Sequence, residues 1–231
     1  MTDTLIEARG LSAGYGKMAV VRGLDLRVDA GEVVALIGPN GAGKTTTLLT
    51  LAGELPPVEG EVHFLGSRTT SPMHARCRNG LGYVTEERSV IMDMSVADNL
   101  KLAAVVPAVA FEYFPALERI MNRRAGLCSG GEQQMLSLAR ALGRHPKALL
   151  ADELSLGLAP IIVTSLLKAI RDAADARGVG VLLVEQHVRQ ALKIAVRVYV
   201  MERGRVVLSG TSQELTGQLD KIEAAYLSGS T

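Results

Sequence analysis

Tryptophan is absent from this chain of 231 residues, and aromatic side chains make up only 3% of it. A surface that stacks nucleic-acid bases needs many rings, so binding of single strands is not expected and the core must be built from Val, Leu, Ile and Ala. Neither sign of charge is in excess: 25 Lys and Arg stand against 24 Asp and Glu, for a net charge of +1. No basic field attracts nucleic acid, so no nucleic-acid partner is expected. The two cysteines, Cys77 and Cys128, are too few for a disulfide framework and not spaced for a metal site, and both read as free thiols. There is no run of 18 or more apolar residues, and Met1-Thr2-Asp3-Thr4 has neither the basic start nor the apolar stretch of a signal peptide. A soluble, cytoplasmic chain is the expectation.

What is present organises readily. The length supports one substantial core carrying a smaller lobe. Residues 5–11 and 24–28 predict two short strands of an antiparallel layer, with Gly14-Tyr15-Gly16-Lys17 as a turn-rich loop between them. Val33-Val34-Ala35-Leu36-Ile37 is a continuous apolar run, as in a strand buried on both faces. Residues 44–55 then read as a helix stopped by Pro56-Pro57. Further buried strands are expected at 81–84, 148–151 and 181–184, with helical patterns at 161–177 and 186–196 between the later ones, which predicts a mainly parallel α/β sheet. Residues 94–110, 111–124 and 131–144 read as helices with no strand among them, a candidate helical lobe. Residues 199–208 read as a hairpin turning at Arg203-Gly204, followed by C-terminal helices.

Three segments carry chemistry. Gly38-Pro39-Asn40-Gly41-Ala42-Gly43-Lys44-Thr45-Thr46 lies where a buried strand turns into a helix. Glycines there let backbone N–H groups converge on phosphates, Lys44 reaches the β and γ oxygens of ATP, and the Thr45 hydroxyl suits Mg²⁺. Asp152 and Glu153 follow the apolar run 148–151, at the strand edge where ligands of open α/β sheets bind. Asp152 is expected to hold the metal and Glu153 to act as general base on water. Cys128-Ser129-Gly130-Gly131-Glu132-Gln133-Gln134 precedes a helix, either as a second anion site or as a Ser N-cap with Glu132 closing a capping box.

In this order and spacing, the phosphate loop, Ser129-Gly130-Gly131-Glu132-Gln133 and Asp152-Glu153 resemble the ATP-binding cassette (ABC) ATPases across essentially the whole chain. Residues 128–135, 155–163 and Val184-Glu185-Gln186 are most similar to the ATPase subunits of branched-chain amino-acid importers. The resemblance implies an α/β fold: a P-loop NTPase core of mainly parallel sheet (1–86 and 146–231), an antiparallel β layer at the N-terminus, and a small inserted helical subdomain (about 87–145). It implies ATP and Mg²⁺ as cofactors, and a dimer of this chain with itself or with a sister ATPase. Each ATP would lie between the phosphate loop of one chain and Ser129-Gly131 of the other. It also implies integral-membrane permease subunits, a solute-binding protein acting indirectly, and a peripheral place on the inner face of the cell membrane. Tyr15 falls where the family stacks a ring on adenine.

Departures from the family pattern are visible. Glu86 stands where most members carry a Gln that senses the γ-phosphate and Mg²⁺; a carboxylate there still suits the metal but cannot donate a hydrogen bond when ionised. Gln186 stands at the place of the family's switch histidine, with His187 one residue later as the other candidate. Leu154 replaces a common Pro and Ala159 a common Asp, and the segment 102–111 is shorter than in the importers. Two other readings compete with transport: a non-transport cassette remodelling nucleic acid or ribosomes, and a small-molecule kinase, which leaves Ser129-Gly130-Gly131 unexplained. A cassette serving another solute, such as urea or amides, shares the same motifs.

Overall fold

The computed structural model describes residues 3–16, 18–218 and 222. Strand β1 (Thr4–Tyr15) pairs antiparallel with β2 (Met18–Asp29). After β2 come β3 (Val33–Ile37), helix α1 (Lys44–Ala52), β4 (Pro57–Phe64), the two-residue β5 (Ser67–Arg68), α2 (Met73–Arg78) and β6 (Leu81–Val84). A helical insertion follows, made of α3 (Val96–Leu102), α4 (Pro107–Tyr113), two 3₁₀ turns (Pro115–Ile120 and Ala125–Leu127) and α5 (Gly130–Leu142). The chain then runs through β7 (Ala148–Asp152), α6 (Pro160–Arg177), β8 (Gly180–Glu185), α7 (Val188–Ile194), β9 (Arg197–Glu202), β10 (Arg205–Thr211) and α8 (Ser212–Thr216).

One sheet has the order β10-β9-β3-β8-β7-β6, parallel throughout except for the antiparallel edge strand β10; the other, antiparallel, has the order β2-β1-β4-β5. The apolar runs of the parallel strands explain the layering, because alternate side chains leave a strand on opposite faces. Val33, Ala35 and Ile37 enter the core shared with α5, α6 and the helical insertion. Val34 and Leu36 face the other way, into the core closed by α1 and the antiparallel sheet. The ends of β3, β8 and β7, neighbours in the parallel sheet, are thereby held between two packed layers, and the loops that follow them lie side by side.

The predicted antiparallel layer has four strands rather than two, and both of its first strands are longer than predicted. Gly14 and Tyr15 belong to β1, so only the tip of the expected loop is a turn, and Lys17 lies outside the described residues. Strand β4 was hidden by Pro56-Pro57, read simply as a stop; a Pro is tolerated at the first residue of a strand, and Val62 and Phe64 alternate inward against Ala8 and Ile6. Helix α1 ends at Ala52, before those prolines. Gly53 takes the left-handed conformation (φ 90°) that closes a helix. Arg76 seals the same end, its guanidinium donating to Leu51 O at 2.6 Å and Ser71 O at 2.8 Å.

The two long helices expected over 94–124 are broken into shorter pieces. Pro107 and Pro115 remove N–H donors and push the residues before them, Val106 and Phe114, out of the helical region. Helix α7 begins two residues later than predicted, because Gln186 and His187 form the loop ahead of it. Among the described residues the expected C-terminal helices are represented by α8 and by Ile222, which is helical; the rest of that expectation lies outside the described residues.

Candidate nucleotide site

The loop between β3 and α1 owes its shape to small residues. A Cβ on Gly38 would stand 2.3 Å from Met201 O, so this position tolerates no side chain. Gly43, at φ 103°, begins α1 with no side chain capping it, which leaves the start of the helix to bind an anion. Lys44 is buried; its ammonium donates to Gly38 O at 2.9 Å and Pro39 O at 3.1 Å and lies 3.4 Å from Glu153 Oε1. Ala42 packs in the core beneath the loop. A cavity of about 400 Å³ opens above, lined by Asn40, Gly41, Gly43, Lys44, Thr45 and Thr46 from the loop, and by Glu86, Glu153 and Gln186 from the ends of three other strands. Val20 and Leu156 complete it.

Asp152 ends β7 almost fully buried, and its Oδ1 has no hydrogen-bond partner. Burial pushes its carboxyl up to about 6; the Thr45 hydroxyl, hydrogen-bonded to it, opposes this, while the charges of Glu153 and Glu86 add to it. A buried, orphaned carboxyl oxygen beside a threonine hydroxyl and a phosphate-binding loop fits Mg²⁺, which needs one or two carboxylates plus substrate phosphate rather than a protein cage. Among the described residues no group of three or more His, Cys, Asp and Glu forms such a cage. Glu153 follows at φ 46°, the left-handed region, with its N–H donating to Val184 O at 2.9 Å. Its Oε2 accepts from Gln186 Nε2 at 2.5 Å.

His187 is not brought to this cavity. It is exposed in the loop before α7, whereas Gln186 lines the site, because one step along the chain after β8 turns the side chain away. Tyr15, 59% exposed, ends β1 opposite Met18, itself 74% exposed, so it is a surface ring rather than a core one. Ser129, Gly130, Gly131 and Glu132 do not line the cavity. Ser129 caps α5, its Oγ accepting from Glu132 N at 3.3 Å while Glu132 Oε2 accepts from Ser129 N at 2.7 Å. The capping box and a second anion site are compatible, since the cap uses the Ser129 hydroxyl as an acceptor and leaves the helix start facing outward. Arg88 reaches from the Glu86 loop to Gln133 Oε1 at 3.5 Å, linking that loop to α5.

The family model described as ABC transporter matches residues 21–155, from within β2 through the phosphate loop to Ser155. The chain belongs to the ABC transporter family. The high-affinity branched-chain amino acid transport ATP-binding protein BraG of Pseudomonas aeruginosa is 40% identical over 95% of this chain and 97% of its own. The lipopolysaccharide export system ATP-binding protein LptB of Acidithiobacillus ferridurans is 39% identical over 91% and 92%. A solved ATP binding subunit of an ABC transporter superposes with a TM-score of 0.83 at 28% identity, covering 96% of this chain and 99% of that one. This cassette is therefore an ATP-binding, ATP-hydrolysing subunit of a transporter, of a family whose cassettes act as dimers with membrane permeases. No described helix of its own is long and apolar enough to cross a membrane.

Sequence reasoning passed over Glu185 and Ser155 as participants. Glu185 is 1% exposed, and its carboxyl accepts from Ser155 Oγ at 2.6 Å and Ser155 N at 3.2 Å. The available signal was a charged residue closing an otherwise wholly apolar strand.

Proposed function

We propose that this cassette energises an importer of branched-chain or related amino acids, paired with itself or a sister ATPase on the inner face of the cell membrane. The observation that carries the solute is the 40% identity to BraG over nearly the full length of both chains. A lipopolysaccharide exporter is the second reading, favoured by the 39% identity to LptB. The core would comprise 1–86 and 146–231 and the helical subdomain about 87–145. Between them runs a groove of about 510 Å³ lined by His74, Arg78, Leu102, Arg140 and Arg144, a suitable seat for a permease segment.

In the proposed site Lys44 leaves the Gly38 and Pro39 carbonyls for the β and γ oxygens of ATP, which also frees the Glu153 carboxylate from its ion pair. Thr45, Asp152 and Glu86 would hold Mg²⁺, which when bound neutralises charge developing on the phosphates. Glu153 takes the proton of the attacking water, and Gln186 holds Glu153 Oε2 in place. Ser129 to Gly131 of a second chain would close over the γ-phosphate, with Tyr15 against the adenine. Purification from native membranes with the subunits that accompany the cassette tests the solute. ATP turnover stimulated by leucine, isoleucine or valine, through a co-purifying binding protein, is the expected result; stimulation by lipopolysaccharide alone would establish the second reading instead.

A further inference from the structure

Glu153, at φ 46°, adopts a left-handed backbone conformation that is strained for a non-glycine residue and persists only where its surroundings over-determine it. One restraint is visible directly before the side chain: its N–H is bonded to Val184 O on β8. The other lies two residues on. Ser155 presents both its N–H and its hydroxyl to the two carboxyl oxygens of Glu185, the last residue of β8. A carboxyl 1% exposed at the end of an apolar strand is costly to bury, and two donors from the loop after β7 offset that cost.

We infer that Glu185 is a positioning residue for ATP hydrolysis: by clamping Ser155, it holds the turn bearing Glu153 against the end of β8, where the loop bearing Gln186 begins. The inference rests on the proposed roles of Glu153 and Gln186. Glu185 and Ser155 lie outside the lining of the phosphate cavity, so the clamp acts on turnover and not on nucleotide affinity. A base must be held to within a fraction of an ångström, and misplacement by about 1 Å costs up to roughly 100-fold in rate.

The test measures kcat and KM for ATP in the full chain together with the membrane subunits that co-purify with it, at a temperature well below each variant's Tm. Ser155→Ala and Glu185→Leu are each expected to lower kcat roughly 10-fold with KM within about 2-fold, and Glu185→Gln, which keeps one acceptor oxygen, to fall between them and the native chain. The double variant Ser155→Ala/Glu185→Leu is expected to be no slower than the slower single variant, because both remove one clamp. Native kcat in Ser155→Ala, multiplicative losses in the double variant, or a KM rising in step with the fall in kcat would overturn the inference. If Glu185→Leu fails to fold, Ser155→Ala alone decides it. Glu153→Gln measured alongside separates the two claims: native turnover there defeats the site assignment itself, whereas a dead Glu153→Gln beside a native Ser155→Ala defeats only the clamp.

Discussion

Replacing Glu185 by Gln should alter how the stability of the nucleotide-free cassette depends on pH. Burial pushes the Glu185 carboxyl from its ordinary 4.5 up to about 7, and the charge of Glu153 adds to this, while bonds from the Ser155 hydroxyl, the Ser155 N–H and the Gln186 N–H oppose it. Between those two pH values the folded chain keeps a proton that the unfolded chain has lost. Glu185 therefore contributes its full stability below about pH 4.5, and that stability is lost as the pH rises through about 7. The difference amounts to about 3 kcal/mol when both values are exceeded.

In a chain of this size each kcal/mol moves Tm by about 2–4 °C, so the Tm of Glu185→Gln minus that of the native chain should rise by roughly 6–12 °C between pH 5 and 8.5. Asp152, also pushed up, to about 6, drives the native chain the same way. Subtracting the two chains at each pH removes that contribution. Thermal unfolding followed by circular dichroism in the presence of a chelator suffices. A Tm difference that is flat across this range would refute the reasoning, since it would mean that the buried carboxyl ionises as freely in the folded chain as in the unfolded one.

The remaining predictions concern the site. Glu153→Gln should lower ATP turnover by about 100-fold or more while ATP binding, followed by equilibrium dialysis, persists, because the phosphate loop is untouched and general-base assistance is worth about that much. Gln186→Ala should slow turnover more than His187→Ala in a steady-state ATPase assay, since Gln186 holds Glu153 at 2.5 Å and His187 is exposed; the opposite order would transfer the switch role to His187.

Much of the architecture was legible because the strands and motifs announce themselves locally. The five-residue apolar run before Gly38 is a doubly covered strand on inspection, and glycine spacing, Lys44 and Thr45 carry their own chemistry. Less was legible where long-range partners decide. Residues 57–64 became a strand only because β1 supplies an edge for them, and the prolines at 107 and 115 cut a helical pattern whose periodicity runs straight through them.

The sequence by itself determined the layers, the phosphate loop and the order of the acidic and glycine-rich segments, since each depends on local periodicity and on residue types with few alternative uses. Only the tertiary structure decided that Gln186 rather than His187 meets Glu153, that Asp152 keeps an orphaned oxygen beside Thr45, and that Glu185 binds Ser155. Those are facts about where adjacent strands of one parallel sheet end. Residues 30 positions apart become neighbours there through the register of β7 and β8, which no pattern within either segment reveals.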